Sequence, residues 1–273
     1  MNITEEFSLK DKVIIVTGGT GILGEAFIHG IAEAGGIVGV LGRNKKIADE
    51  RVASIISKGG QAVALIADVT NKQQLIDAKD KMIHIYGKIN GLVNAAGGNI
   101  SGALVQPEED VFDLNFDALK EVMNLNLFGT VLPTQVFGEA IKHSGHGSIV
   151  NISSMASQKV ITRVLGYSMA KAAIDVYTKW FSVELGNRYG DSIRMNAIAP
   201  GFFLTEQNRL LLTNGNGKMT ERGALIIKNT PFNRLGNPDE LVGALIWLLS
   251  DASKFVTGTV INVDGGFSVF SGV

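Results

Sequence analysis

Tyr167 and Lys171 are the residues whose types and spacing point most directly to proton-transfer chemistry. They stand at positions i and i+4, a spacing that places two side chains on one face of a helix and within reach of one ligand. A free tyrosine has a pKa of ~10, and a nearby ammonium favours the phenolate and lowers that pKa. We therefore expect Tyr167 to be an acid–base group whose pKa is lowered by Lys171. Because a short motif also arises by chance, the pair depends on its surroundings for support.

Ser154 is a second candidate for the same chemistry. It directly follows the apolar run GSIVNIS at residues 147–153, which predicts a buried strand. Open α/β sheets bind their ligands at the carboxyl ends of the strands. The sequence thus predicts that Ser154 and Tyr167 each form a hydrogen bond with one substrate carbonyl oxygen.

Composition sets the class of protein in which these residues work. With 273 residues, 45% hydrophobic content and a mean hydropathy of +0.21, the chain can bury a full core as one domain over residues 1–273. The absence of cysteine excludes a disulfide framework and fits a reducing cytoplasm, and 4 histidines without a partner motif predict no metal site. The start MNITEEFSLKDK carries acids where a secretory signal is basic, and apolar runs are too short to span a bilayer. With a net charge of −1, we expect a cytoplasmic protein that binds a small molecule and neither nucleic acid nor membrane.

A glycine-rich turn follows the first predicted strand, residues 12–16. It reads TGGTGILG from Thr17 to Gly24 and leads into a helical pattern, EAFIHGIAEAG. In this order of elements, backbone N–H groups approach a pyrophosphate and the helix N-terminus attracts it. A glycine turn without a ligand is the alternative. The residues predicted to contact the phosphates are Gly18, Thr20, Gly21, Ile22 and Leu23.

The end of the second predicted strand, residues 36–41, bears on the choice of cofactor. An NAD site is expected to offer Asp or Glu there for the ribose 2′-hydroxyl, whereas this chain has Gly42 and Arg43. Arginine pairs well with a phosphate, so we expect NADP to be preferred, with NAD possible. Lys45 and Lys46 are better explained as a solvated helix start.

Further strand ends offer polar or small residues to the same ligand. Asp68 follows the third predicted strand, residues 62–67, and either contacts an adenine amino group or caps the helix that begins near Asn71. The fourth, residues 91–94, opens into NAAGGN, whose small residues permit close backbone approach, although a tight turn explains them equally. Asn126 lies in a long helical pattern at residues 116–143, either as a satisfied core amide or in a polar network near the site.

Strands alternate with helices to the end of the chain, which predicts an α/β fold with a doubly wound parallel sheet of about seven strands and helices on both faces. A sixth strand at residues 193–198 precedes Pro200 and Gly201, and residues 202–231 are expected to form a flap over the site, a plain surface excursion being the alternative. A last strand is predicted at residues 256–263. The apolar tail VDGGFSVFSGV suggests burial against another subunit of a homo-tetramer or homo-dimer.

Together these motifs resemble the short-chain dehydrogenase/reductase family along nearly the whole chain. The similarity rests on TGGTGILG, Asp68-Val69, NAAG, Asn126, Ser154, YSMAK, PGFFLT and VDGG in the family's order. The resemblance implies a Rossmann-type fold and a catalytic tetrad of Asn126, Ser154, Tyr167 and Lys171. It also implies that Asn126 ties Lys171 to water and that Lys171 contacts the nicotinamide ribose. One departure is Ile22, which stands where single-domain members usually carry a glycine. The implied cofactor contacts further include Arg43, Asp68, Val69, Asn94, Ala95, Ala96, Gly97, Pro200, Gly201 and Thr205.

Within that family the chain is similar to the group of D-mannonate oxidoreductases, or fructuronate reductases, in TGGTGILG, NAAGGN and the FSVFSGV tail. This implies a reductase or dehydrogenase of a sugar acid, or of another small ketone or polyol. An NAD-dependent sugar epimerase or dehydratase and a nucleotide-binding sensor without turnover are the alternatives. Cations placed to catch a substrate carboxylate would support the sugar acid, and simple surface charge is the competing explanation for each. The predicted substrate residues are Asn99, Arg163, Arg209 and Arg222.

Overall fold

Seven strands form the centre of the protein. A computed structural model describes residues 2–204, 212–214, 216 and 218–272. The strands are β1 Val13–Thr17, β2 Ile37–Gly42, β3 Gln61–Ile66, β4 Gly91–Asn94, β5 Gly147–Ile152, β6 Ile193–Pro200 and β7 Val260–Val263. They pair in parallel in the order β3-β2-β1-β4-β5-β6-β7. This confirms the predicted doubly wound parallel sheet of about seven strands.

Helices cover both faces of that sheet. They are α1 Ile3–Glu6, α2 Ile22–Glu33, α3 Lys45–Ser57, α4 Lys72–Tyr86, α5 Phe116–Met123, α6 Gly129–His143, α7 Leu165–Tyr189, α8 Glu221–Lys228 and α9 Val242–Leu249. Short 3₁₀ turns lie at Ser101–Ala103, Met155–Ser157, Pro238–Leu241 and Asp251–Ser253. In the described part of the chain, no helix has the length and apolar content needed to cross a bilayer. The cytoplasmic location inferred from the sequence stays a prediction.

The core is divided by the sheet into two apolar layers. Ile14 and Val16 of β1 pack with the layer that contains α2 and α9, whereas Val13 and Ile15 pack with the layer that contains α4 and α6. Successive side chains of a strand point to opposite faces, so a strand covered on both faces reads as a continuous apolar run. The hydrophobic stretch KVIIV is therefore what a central parallel strand requires.

The strand order reverses between β1 and β4, and open sheets bind ligands at such a point. Thr17, at the end of β1, joins the two loops that meet there. Its hydroxyl oxygen accepts hydrogen bonds from the backbone N–H groups of Ala95 (3.0 Å) and Ala96 (3.1 Å). The glycine turn and the NAAG loop are consequently held side by side.

Two predicted elements differ from the structure. The helical segment expected at residues 116–143 is interrupted by a π-helical turn, Asn124–Phe128. In this turn the Asn126 side chain, through Nδ2, donates a hydrogen bond to the Val122 carbonyl (2.8 Å), which an α-helix would pair with a backbone N–H. The last strand is four residues long rather than the predicted 256–263. Thr257 accepts from Met195 N through its hydroxyl, and Gly258 has a φ of +74°, so this stretch does not join the regular ladder.

The predicted flap and tail are only partly open to comparison. Residues 205–211, 215 and 217 of the flap lie outside the described residues, whereas α8 and the antiparallel bridge between Thr213 and Met219 belong to it. In the tail, Phe267 packs its ring edge-on against Phe202, with centroids 5.1 Å apart, while Val269 is exposed. Closure of the flap and burial of the tail by another subunit remain predictions.

Candidate active site

A cavity of about 120 Å³ lies at the carboxyl end of the sheet, beside β5 and the first turns of α7. It brings together five residues predicted from the sequence as site residues: Asn99, Ser154, Tyr167, Gly201 and Arg222. Its remaining lining is apolar except for backbone groups: Met155, Ala156, Ile161, Val164, Phe202 and Leu212. An apolar cavity with a few converging polar groups is the usual form of a small-molecule site.

Ser154 is fixed by the turn that follows β5. Its Oγ accepts a hydrogen bond from Ala156 N (3.1 Å) and so caps the 3₁₀ turn Met155–Ser157. Its hydroxyl also lies close enough to Tyr167 to favour the phenolate form and so to lower the pKa of that residue. Because a serine hydroxyl has one donor and two acceptor positions, Ser154 can accept from its own turn and still donate to a ligand.

Tyr167 lies in the first turn of α7 with its side chain half-buried. Burial raises its pKa, and the nearby Ser154 hydroxyl opposes that rise only in part. The sequence predicts a lowered pKa for Tyr167, whereas the net shift is upward, because desolvation of the phenolate outweighs the other influences. Tyr167 is protonated at neutral pH.

Lys171 is buried one turn further along α7, with 4% of its surface exposed. Its Nζ donates to the carbonyl of Ile152 (2.7 Å) and lies 5.4 Å from the centroid of the Tyr167 ring. Burial lowers its pKa to about 8, and the charge of Asp175 acts in the opposite direction. The predicted i, i+4 pair thus shares one face, with the ammonium beside the phenol ring.

Asn126 is fully buried in the π-helical turn and is both a satisfied amide and part of a polar network. Its Nδ2 donates to Gly98 O (2.7 Å), and its Oδ1 accepts from Gly98 N (2.9 Å). A Cβ atom at Gly97 would lie 2.6 Å from Asn126 Oδ1 and 3.4 Å from Lys171 Nζ. Glycine at position 97 therefore lets the loop after β4 pass close to both side chains. The expected water between Asn126 and Lys171 stays a prediction.

The glycine turn has the form of a phosphate cradle. Gly18 has a φ of +66°, and a Cβ there would lie 2.8 Å from Ala95 O, so only glycine fits. Gly21 is the N-cap of α2 and supplies no side-chain bond to the first helical N–H groups. Those groups remain open to an anion at the positive end of the helix. Ile22 is the first residue of α2 and leaves this cradle intact.

Arg43 and Asp68 stand together at the ends of β2 and β3. Arg43 Nη1 lies 3.6 Å from Asp68 Oδ2, and 76% of the Arg43 side chain is exposed. Burial alone would raise the pKa of Asp68, but its hydrogen bonds with Thr70 and the charge of Arg43 hold that pKa below its ordinary value. Asn71 rather than Asp68 caps α4, through Gln74 N (3.1 Å). The capping alternative for Asp68 is thereby excluded.

Two predicted cofactor residues direct their side chains into the core. Asn94 Nδ2 donates to Thr134 Oγ1 and Asn151 Oδ1, both at 2.9 Å, so the amide nitrogen is already paired within the core. Val69 is buried among the apolar side chains beside α4 and α6. The small residues that follow Asn94 predict that the loop backbone can approach a cofactor. They do not predict where the Asn94 side chain points.

The predicted substrate cations are separated by the structure. Arg222, on α8, lines the cavity of Ser154 and Tyr167, whereas Arg163 lines a neighbouring, more open cavity with Val160 and Met169. Arg163 has a φ of +74°, a conformation that non-glycine residues rarely adopt. Arg209 and Thr205 lie outside the described residues.

Sequence reasoning missed Thr17 and Asp175. Thr17 begins the glycine motif, and nothing in the motif indicates its hydrogen bonds with the loop after β4. Asp175 stands at i+4 from Lys171, a spacing that could have identified it. Asp175 is 7% exposed and accepts hydrogen bonds from two serine hydroxyls near Ser154. Throughout the described residues, no group of three or more His, Cys, Asp or Glu side chains is arranged to hold a metal ion.

Comparison with known proteins gives this site a context. Residues 20–268 match the short-chain alcohol dehydrogenase-type family model described as enoyl-(acyl carrier protein) reductase. The uncharacterized oxidoreductase UxuB of Bacillus subtilis is 38% identical over 275 residues, covering 97% of this chain and 98% of that protein. An uncharacterized oxidoreductase of Haemophilus influenzae is 39% identical over 284 residues, covering 100% and 99%.

The solved structures to which this chain is similar are also oxidoreductases. A Haemophilus influenza protein provisionally assigned as a D-mannonate oxidoreductase, crystallised with NAD, has a TM-score of 0.91 at 37% identity and full coverage of both chains. A gluconate 5-dehydrogenase from Burkholderia cenocepacia, in complex with NADP and tartrate, has a TM-score of 0.87 at 31% identity, covering 98% of this chain and 99% of that one.

Proposed function

This chain belongs to the short-chain dehydrogenase/reductase family, and from that premise we propose that it is an NAD(P)-dependent oxidoreductase of a sugar acid of the D-fructuronate/D-mannonate type. The observation that carries the proposal is one cavity that contains a serine hydroxyl, a tyrosine hydroxyl and an arginine. The first two suit a carbonyl oxygen, and the third suits a carboxylate. The related structures with D-mannonate and gluconate assignments support the same class of substrate.

The residues present fit a dinucleotide. The open N-terminus of α2 and the left-handed backbone at Gly18 would hold the pyrophosphate, and the loops of Gly97 and Gly201 would border the nicotinamide. A carboxylate at the end of β2 is sterically disfavoured, because a Cβ at Gly42 would lie 2.6 Å from Thr20 Oγ1. The nicotinamide would supply the hydride in reduction and accept it in oxidation.

Tyr167 would transfer the proton. Ser154 would stabilise the substrate oxygen, and Lys171 would stabilise the phenolate that is left. In reduction, the Tyr167 O–H bond breaks as the substrate oxygen gains that proton, while Ser154 donates a hydrogen bond to the same oxygen. The phenolate left on Tyr167 faces the Lys171 ammonium, which stabilises it. Asn126 holds the adjoining loop in place through both of its hydrogen bonds with Gly98. In oxidation the same groups act in reverse.

Arg222 is the proposed partner of the substrate carboxylate. Its guanidinium donates to Thr162 Oγ1 (3.0 Å) and Thr162 O (3.1 Å), which orients it, and no acidic side chain among the described residues forms an ion pair with it. Burial and the nearby charge of Arg163 both lower the pKa of Arg222. A bound carboxylate would compensate the positive charge of Arg222 at this cavity and weaken its repulsion by Arg163.

The test of this function is oxidation of NADPH, followed by absorbance, in the presence of D-fructuronate or of the uncharged keto-sugar fructose. We expect turnover with the acid and a lower kcat/KM for the uncharged compound. A preference for fructose would contradict the sugar-acid proposal and leave the oxidoreductase assignment in place. No oxidation with any keto-sugar, under conditions where the cofactor binds, would contradict both.

Arg222→Ala is expected to lower kcat/KM for fructuronate by at least about tenfold and to change kcat/KM for fructose much less, since it removes a charge-assisted contact in a partly closed site. Lys228→Ala, an exposed cation on the same helix, is the matched control and is expected to change neither value. An equal loss on both substrates would show that Arg222 does not bind the carboxylate. Arg163→Ala, assayed in parallel, measures the contribution of the second cation.

Arg43→Ala is expected to lower the ratio of kcat/KM for NADPH to that for NADH by about tenfold, because the guanidinium is the group proposed to pair with the 2′-phosphate. Steady-state assays with both cofactors measure this ratio. Lys46→Ala, on the exposed start of α3, is the control. A wild-type enzyme that uses NADH as well as NADPH would contradict the NADP preference before any variant is made.

We also propose a homo-dimer or homo-tetramer. Val176, Trp180 and Val183 stand at i, i+4 and i+7 on α7 and are all exposed, which leaves one face of the helix apolar. Light scattering in solution would measure the mass, and a monomer at micromolar concentration would contradict the proposal.

A further inference from the structure

Asp175 is a buried carboxylate that has no role in the proton transfer between Tyr167 and the substrate. It lies on α7 one turn beyond Lys171, with 7% of its surface exposed. A buried carboxylate is costly unless hydrogen bonds and a nearby positive charge compensate it. Its surroundings therefore indicate what the carboxylate is for.

Both carboxylate oxygens are bound by residues that bracket Ser154. The hydroxyl of Ser153 donates to Asp175 Oδ1, and the hydroxyl of Ser157 donates to Asp175 Oδ2 (2.6 Å). The Ser157 hydroxyl also lies 2.7 Å from the backbone carbonyl of Ser154. The residue before Ser154 and the turn after it are thus both fastened to α7, the helix that carries Tyr167. This fixes the distance between the two hydroxyls that would share a substrate oxygen.

Asp175 also provides the negative charge nearest to Lys171. Titratable groups close to the ammonium, in the described residues, are Tyr167 and Asp175, both on α7. Among the described residues, the groups that approach the ammonium from neighbouring loops are uncharged, namely the Ile152 carbonyl and the backbone at Gly97. Burial lowers the pKa of Lys171, and the Asp175 carboxylate limits that decrease. The carboxylate therefore favours the charged form of a lysine whose charge is disfavoured by burial.

We propose that Asp175 is a positioning residue that clamps the Ser154 turn to α7 and places a negative charge one helical turn from Lys171. This inference rests on the proposed function, because it assigns Asp175 a role through Ser154 and Lys171. It touches neither the substrate nor the cofactor in this role. The two roles can be tested separately. Replacing Ser153 or Ser157 weakens the clamp and keeps the negative charge, whereas replacing Asp175 affects both the clamp and the charge.

The experiment is the pH dependence of kcat/KM with NADPH and the keto acid for variants of Asp175, of the two serines Ser153 and Ser157, and of a control residue on the same helix. Asp175→Asn keeps the volume and removes the charge, so we expect the alkaline limb to move to lower pH by about one unit, the scale of a nearby opposite charge. At pH 7.5 the loss is expected to be about threefold, to grow toward about tenfold above pH 8 and to vanish toward pH 6, where Lys171 stays charged in either protein. Ser157→Ala keeps the charge and loosens the clamp, so kcat should fall several-fold without a shift of the limb. Glu184→Gln removes an exposed carboxylate from the same helix and should leave the profile unmoved.

The outcomes separate this inference from the proposed function. A wild type with no turnover contradicts the proposed function. If the alkaline limb of Asp175→Asn lies at the wild-type pH, or if kcat/KM falls by the same factor at every pH, the electrostatic role of Asp175 is overturned. Wild-type kcat in both Ser157→Ala and Ser153→Ala overturns the clamp. If Asp175→Asn does not fold, as judged by its thermal melt, the two serine variants and Asp175→Glu, which retains the charge and should retain the limb, decide the question.

Discussion

Tyr167→Phe is expected to lower kcat by about 10²–10⁴-fold while leaving the dissociation constant of NADPH within about threefold of the wild-type value. The change deletes one hydroxyl and keeps the ring, so the first turn of α7 and the contact with Lys171 are preserved. Without that hydroxyl the substrate oxygen loses its proton donor. Steady-state NADPH oxidation measures kcat, and fluorescence titration of NADPH measures the dissociation constant.

Tyr189→Phe is the matched control, because Tyr189 ends the same helix with its side chain exposed. It should retain wild-type kcat. Since burial raises the pKa of Tyr167, the wild-type group is already protonated through neutral pH and is ready to donate in reduction. Substantial activity in Tyr167→Phe would exclude Tyr167 as the proton donor, whatever the cofactor affinity.

The fold was predictable from the sequence because its signals are local. Short β-branched runs such as VIIV, each followed by glycine or a small polar residue and then by a helical pattern, predict buried parallel strands with crossover helices. The glycine turn could be located for the same reason: Gly18 adopts a φ that other residues avoid. These features depend on near neighbours in the chain, so the sequence contains them directly.

The site was only partly predictable because its finer features depend on distant contacts. Arg163 and Arg222 look alike in sequence, yet only Arg222 lines the cavity, since α8 folds back over the loop that holds Thr162. The π-helical turn at Asn126 is joined to the loop after β4 by two hydrogen bonds between Asn126 and Gly98, residues that are distant in the sequence. The pKa of Tyr167 depends on how much water the folded chain removes from the phenol, which no spacing along the sequence reports.

Lys171→Met should have the second large effect and a distinctive pH signature. Methionine retains the apolar stem and deletes the ammonium, so the phenolate formed on Tyr167 loses its stabilising charge, and we expect kcat/KM to fall by about 10²–10³-fold. Cofactor affinity should fall as well, by about tenfold, since the family resemblance implies a contact between the ammonium and the nicotinamide ribose.

The sign of the pH effect follows from the pKa of Lys171, which burial lowers to about 8. Below that value the wild-type ammonium is present and kcat/KM is at its plateau; as pH rises through about 8 the proton is lost and kcat/KM declines. Lys171→Met has no such proton, so its low activity should lack this decline. Lys179→Met, an exposed lysine on the same helix, should keep the wild-type profile. A decline near pH 8 that persists in Lys171→Met would assign it to another group and remove the ammonium from the proposed mechanism.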